Sequence, residues 1–407
     1  AAHLGNVPLI IAAWIVGGIY ALLGALSVSE LAASLPQAGG WYVYTRRAFG
    51  DYAGFTVGWM DWLGNSAILA WILIIVGEYS AALVPALSGR AKIVALTVLL
   101  VFSLLHLLGL RAGSGSQKIL SLAKALAFVA LVAACFFFGR RHSNPAASQT
   151  VVALPQTATA MFIAIVFALQ ATIATYGGWY APIYFAEEFS EPGRDIPRSM
   201  LGGLLFAMVI YLLVNLALLY VLPLQQLATS NLPAADAAQA IFGARSGQLI
   251  TALSLLSLLG TINIVIMEVP RILFGLSRDG LFSSKASWVN RGGTPVVALL
   301  LSTGVQVLLV VSGSFARTLG IALFLFVAIY TLGFACLFVL RMREPELSRP
   351  FRAWGYPWTT LIVFIGSLGF LIGAVFSDTL NSTYALLLIA ISYPVYLLTK
   401  KLRHRSL

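Results

Sequence analysis

The stretch ATYGGWYAPIYFAEEFSEPGRDIPRS, residues 174–199, decides how this chain is read. A mostly apolar run from Met161 leads into it. Then come Gly177 and Gly178, the aromatics Trp179 and Tyr180, a proline, and the carboxylates Glu187 and Glu188. A membrane-length helix is therefore interrupted in its middle, where every freed backbone group needs a partner. At 1.5 Å per residue the glycines stand roughly 20 Å into the span. Irregular backbone at that depth is tolerated only where protein or a water-filled cavity covers it. Transporters use such breaks for binding, because half-helix ends offer N–H and C=O groups to a small charged molecule. Two glycines permit unwinding and close backbone approach. Close helix packing by small residues is the competing reading. The aromatics and paired carboxylates that follow favour a functional break.

The composition places that break in a membrane. Hydrophobic residues make up 60% of the 407 residues and charged ones only 10%, against roughly 25% charged in soluble domains. Apolar runs of about 20 residues recur along the chain, and such runs span a bilayer. The net charge of +11 does not point to nucleic acid, because the basic residues fall between apolar segments, as the positive-inside rule describes. Cys135 and Cys336 both lie inside apolar runs, which gives neither a disulfide framework nor a metal spacing.

Eleven spans are expected, near 8–36, 53–84, 92–110, 116–139, 159–189 (interrupted), 199–222, 246–276, 294–313, 318–341, 358–377 and 382–400. Eighteen Lys and Arg fall on one side, from Arg46 and Arg47 to Lys400, Lys401, Arg403 and Arg405. Six fall on the other: Arg90, Lys92, Arg140, Arg141, Arg245 and Arg317. The richer side is expected to be cytoplasmic, with the C-terminus inside and the N-terminus outside. The chain begins Ala1-Ala2. An external start without a signal peptide is accounted for if a span precedes it. Between spans, PAADAAQAIFG (233–243) reads as a short surface helix. GGWYVYTRRAFGDY (39–52) reads as an interfacial helix, and GSGSQ (113–117) as a cytoplasmic turn. Pro192 and Pro197 are expected to stop the helix beyond the carboxylates.

TYGGWYAPIYFAEEFSEPGRDIPRSM resembles the sixth-helix signature of amino acid–polyamine–organocation permeases, nearest the L-type amino acid transporter branch. SELAASLPQAGGWYVYTRRAFG (29–50), EVPRILFGLSRDGLF (268–282) and RPFRAWGYPW (349–358) resemble three further family stretches, in family order. The resemblance implies an all-α polytopic membrane protein with the leucine-transporter-like inverted-repeat fold. Eleven of twelve expected helices would be present: 1–139 would hold the rest of the first repeat, 159–341 the second, and 358–400 two additional helices. The family's broken first helix, which supplies half of the binding site, would lie outside this sequence.

Intramembrane ionisable residues are costly and are functional candidates by default. Lys124 lies six residues beyond Lys118, roughly 9 Å of helix. It either snorkels to the surface or, as the resemblance implies, stands in for sodium at the ion site of sodium-coupled relatives. Asn65 and Ser66, one turn beyond Asp61, read as polar groups that can face substrate on the same side of the helix, and Asp61 itself sits about ten residues into its span. It reads as a hydrogen-bonded structural group, a counter-charge for a cationic substrate, or a proton site. Glu268 and Arg271 have helix-neighbour spacing and read as a local ion pair. His106 reads as a packed, hydrogen-bonded histidine. Glu187 and Glu188 belong to a charged cluster that can pair with Arg46, Arg47 or Arg278 to close the cytoplasmic mouth, or that simply sets topology.

GxSxG, phosphate-loop and HExxH patterns are absent from the sequence, as is a cysteine–histidine cluster. No enzyme, cofactor or metal is expected. The expected function is secondary transport of amino acids across the plasma membrane by alternating access. It would be independent of sodium, with either proton coupling or exchange. A cationic amino acid or polyamine transporter, and a non-transporting sensor or scaffold of the same fold, are the alternatives. The expected partners are the lipid bilayer and a small amino acid or amine; an accessory subunit or homo-oligomer stays open. The substrate-facing group would be Ala174, Thr175, Tyr176, Gly177, Gly178 and Trp179, with carbonyls freed near Ala174–Gly177 meeting the substrate ammonium. Resemblance places a bulky aromatic gate where this chain has Ala174, which leaves more room.

Overall fold

A computed structural model describes residues 4–139, 157–230, 232–243, 246–312 and 315–404; the side chains of 110–114, 158–160, 162–163, 315–317 and 402–404 are not described. Arg140, Arg141, Pro155, Arg245 and Arg405 lie outside the described residues, as do the side chains of Arg111, Arg317 and Arg403. No strand occurs among the described residues.

The helices follow the apolar runs, and glycine or proline marks their ends. α1 (Val7–Ser34) stops before Pro36. Gly39 and Gly40, at φ +126° and +80°, turn the chain into α2 (Trp41–Phe49). Gly50, at φ +91°, separates α2 from α3 (Asp51–Leu83). A side chain rarely adopts such angles without strain, which is why these turns are glycine. α4 (Ala91–Leu107) and α5 (Leu110–Phe138) follow, then α6 (Ala158–Thr175) and a 3₁₀ half-helix (Ala181–Glu188). Next come α7 (Pro192–Val221), α8 (Leu224–Thr229), α9 (Pro233–Phe242) and α10 (Ser246–Arg278). α11 (Val296–Ser312), α12 (Phe315–Arg343), α13 (Trp358–Ser377) and α14 (Thr379–His404) complete the described chain.

Among the described residues eight helices are long and apolar enough to cross a membrane: α1, α3, α5, α7, α10, α12, α13 and α14, each over all or most of its length. Three shorter apolar helices, α4, Ala164–Thr175 and α11, supply the rest of the eleven runs expected from the sequence. The chain is an all-α polytopic membrane protein. α9 forms over PAADAAQAIFG as expected. The interfacial reading of α2 is corrected: Trp41, Tyr42, Val43, Tyr44 and Ala48 are buried against the protein, where α2 packs on α3 and α12.

Two expectations are corrected. GSGSQ is no turn; it lies within α5, because the break comes earlier, at Gly109 with φ +117°. Gly109 also meets Gly292 so closely that a Cβ there would stand 2.8 Å from its Cα. Pro192 and Pro197 do not stop a helix. Pro192 begins α7, where its missing N–H costs nothing. Pro197 lies inside the first turns and removes one backbone bond there.

By its contacts the chain forms two compact units. The first holds residues 1–22, 120–179 and 201–257. Within it Thr172 of α6 donates to the Ala13 carbonyl of α1 at 3.2 Å, where Gly17 leaves no room for a Cβ. Leu131, Cys135, Ala217, Val221 and Ala237 form a buried apolar cluster joining α5, α7 and α9. The second unit holds residues 23–119, 180–200 and 258–407. Its central helix is α3, which packs against α2, α4, α11, α12 and α14. The chain passes from the first unit to the second at Trp179–Tyr180.

Candidate functional site

α6 ends at Thr175, residues 176–180 form a turn, and the 3₁₀ half-helix starts at Ala181. The interruption thus falls on the glycine pair, as the sequence implies. Gly178 has φ +95° and open space where a side chain would begin. The Tyr176 N–H donates to the Thr172 carbonyl and the Gly177 N–H to the Ala174 carbonyl, both at 3.1 Å. The Ala174 carbonyl, expected to be free, is therefore engaged in closing the last turn. The Thr175 hydroxyl donates to the Ala171 carbonyl at 2.7 Å. Ala174, Thr175, Gly177 and Gly178 are exposed and Trp179 is half-buried.

Tyr176 behaves differently from its neighbours. It is buried, and its hydroxyl donates to the Trp14 carbonyl of α1 at 3.1 Å. Its ring meets Trp14 edge-on at 5.7 Å and Tyr211 of α7 at 5.4 Å. It anchors the end of α6 within the first unit.

In the second unit Tyr180 is buried among Trp41, Tyr184, Phe326 and Tyr330, with ring centroids 5.6–6.2 Å away. One turn on, the Tyr184 hydroxyl donates to Asp61 Oδ1 at 2.8 Å. Asn65 donates to the same oxygen at 2.8 Å. Asp61 is fully buried, and its Oδ2 has no hydrogen-bond partner among the described residues. Ser66 turns back on the Trp62 carbonyl at 2.7 Å. Asp61 and Asn65 are thus brought together, but with Tyr184 across them.

The charged cluster resolves into specific pairs. Arg278 meets Glu187 through two bonds, 2.5 and 2.8 Å. Glu187 also accepts the Ala38 N–H at 3.0 Å. Glu188 pairs with Arg271, at 2.5 and 3.2 Å. Arg271 lies over the Phe185 ring at 4.2 Å and donates to the Met267 carbonyl. The expected Glu268–Arg271 pair is corrected: the guanidinium bonds Glu188 on the half-helix, and Glu268 is buried and makes no contact ion pair with it among the described residues. Arg46 and Arg47 are corrected likewise. Arg46 pairs with Asp51 and Asp279, and Arg47 grips Glu344 with two bonds. Tyr42 donates to Asp279 at 3.2 Å. Burial, and then the Asp279 charge, push its hydroxyl up from its ordinary value and keep it a donor.

A cleft of about 100 Å³ beside these pairs is lined by Tyr184, Phe185, Glu187, Glu188, Arg271 and Phe274 among others. Small-molecule sites usually measure roughly 300–1,000 Å³, so this cleft is smaller than such a site. Lys124 is half-buried in α5 and forms no hydrogen bond or ion pair with a described residue. His106 is hydrogen-bonded, as expected, to Asn263 at 3.0 Å. Tyr184, Arg271 as the partner of Glu188, Asp279 and the Gly39–Gly40 turn were not legible as a group. Among the described residues no cluster suits a metal ion.

The amino acid permease family matches residues 1–397. The chain belongs to that family. It is similar to the serine/threonine exchanger SteT of Bacillus subtilis, 26% identical over 98% of this chain and 90% of that protein. It is also similar to the mouse Asc-type amino acid transporter 1, 25% identical over 86% of this chain and 67% of that protein. The mouse large neutral amino acids transporter small subunit 2 is 26% identical over the same shares. The family and these relatives are transporters by name, and this permease is an amino acid transporter of the membrane.

Proposed function

We propose that this permease exchanges small neutral amino acids across the plasma membrane, independently of sodium, by alternating access. The interruption at residues 176–180 carries the reading, because it leaves half-helix ends where substrate backbone charges can be met. Ala174, Thr175 and Gly177–Trp179 form the substrate-facing stretch, and Tyr176 fixes the end of α6. The pairs Glu187–Arg278 and Glu188–Arg271 close the cytoplasmic mouth, and the half-helix Ala181–Glu188 moves when they part. Residues 1–139 and 159–341 belong to two inverted repeats, and 358–400 carry two further helices. The named specificity of the serine/threonine exchanger and the small side chain of Ala174 support small neutral substrates.

The cationic alternative rests on Asp61, and the geometry disfavours it. Two donors already occupy one carboxylate oxygen, and the whole residue is buried. The test is counterflow in proteoliposomes preloaded with unlabelled serine. Labelled serine should accumulate, and threonine and alanine should compete with it. Competition by putrescine or agmatine without competition by alanine would overturn the neutral reading.

A further inference from the structure

The half-helix Ala181–Glu188 rests on a surface built for it. Gly40 has φ +80°, and a Cβ there would lie 2.3 Å from the Tyr184 ring and 3.3 Å from Asp61 Oδ2. The missing side chain is the space that the tyrosine ring occupies. Two residues earlier the Ala38 N–H donates to Glu187, three residues beyond Tyr184 on the same half-helix. Beneath the ring Asp61 accepts the tyrosine hydroxyl, and Asn65 holds Asp61 by bonding both its side chain and its carbonyl. The turn itself is fixed from α2: Tyr42, whose ring fills the space at Gly39, bonds Asp279 at the end of α10. All of these groups belong to the second unit.

We propose that the turn 38–40, with Asp61 under it, is the seat on which the half-helix closes, and that Asp61 acts in transport by positioning Tyr184. Asp61 is then a positioning residue that does not touch substrate. The inference rests on the reading of the half-helix as the moving part of a transporter. Its chemistry is specific: the seat needs an acceptor at position 61, a hydroxyl at 184 and no side chain at 40. A carboxamide at 61 still offers an acceptor oxygen, so Asp61→Asn preserves the contact that Asp61→Ala removes.

The test uses the full chain in proteoliposomes, with labelled serine and exchange rates measured over a range of serine concentrations. Asp61→Ala and Tyr184→Phe should each lower maximal exchange about tenfold and leave KM within about twofold, since the lost contact belongs to closure and not to substrate binding. The double variant should be no slower than either single one, because both remove the same bond. Asp61→Asn should restore most of the rate. Gly40→Ala should resemble Tyr184→Phe; if it does not fold, the Asp61 and Tyr184 variants carry the test alone. Wild-type rates in Tyr184→Phe would overturn the seat. So would an Asp61→Asn protein as slow as Asp61→Ala, or a raised KM with a changed rank of neutral and cationic competitors. Absence of exchange by the unaltered protein would instead overturn the transport reading itself.

Discussion

Glu30, near the end of α1, is 1% exposed and receives two guanidinium groups. Arg341 donates to both its oxygens, at 2.8 and 2.6 Å, and stacks over Tyr356 at 3.8 Å. Arg349 Nε stands 3.3 Å away, and its Nη2 donates to the carbonyls of Leu340 and Glu344 at the end of α12. The Ala353 N–H completes the set at 2.7 Å. Removing one member of a buried pair strands the other charge and costs about 3–5 kcal/mol. Arg47 and Glu344 form a well-made pair too, but Arg47 is largely exposed, and such pairs contribute about 0–1 kcal/mol. Glu30→Ala should therefore lower the midpoint of thermal unfolding in detergent sharply, whereas Arg47→Ala should leave it nearly unchanged. Equal shifts in the two variants would show that the Glu30 cluster is not the anchor its burial indicates.

At the scale of the element, the interruption after α6 makes its own demand. Gly178 has positive φ with open space around it, so a substitution there is opposed by backbone strain alone, of order 1–3 kcal/mol. Asparagine tolerates positive φ better than a β-branched residue does. Gly178→Val should cut exchange about tenfold or more, and Gly178→Asn should keep the larger share of activity, measured as initial serine counterflow. The reverse order would mean that the turn is not held in this conformation during transport. The break was legible because aromatics and paired carboxylates follow the glycine pair, which close packing by small residues alone does not call for. Element edges were less so: α7 begins at Pro192, well before the expected 199, because its first turns carry Arg194, Asp195 and Arg198, which hydropathy assigns to a loop.

For the whole molecule, composition was enough to give the class, and the order of apolar segments gave the runs, since length and hydrophobicity alone decide which helices can cross a bilayer. It did not give the partners. Asp61 and Tyr184 are 123 positions apart and Glu30 and Arg341 are 311 apart; no periodicity within one helix encodes such a meeting. Arg271 shows the same limit, with a neighbour at helical spacing passed over for Glu188 on another element. Lys124, which the family resemblance implies stands in for sodium, belongs to this scale too. If its ammonium substitutes for a sodium ion, replacing sodium by choline should leave exchange unchanged, and Lys124→Ala should impair exchange while the purified protein stays monodisperse. Steep dependence on sodium would remove Lys124 from that role.

Trp41 fills a space that Gly333 leaves empty. The indole is fully buried against Tyr180 and Tyr330, and a single methyl group at 333 would come within 2.5 Å of it. The two positions therefore share one volume, and neither is free to drift alone. A lineage that enlarges residue 333 must shrink residue 41 beforehand, passing through a cavity, or suffer a clash. Inheritance should treat the pair as one character: in an alignment of related sequences, tryptophan in the first column should coincide with glycine in the second, and their exchanges should fall on the same branches.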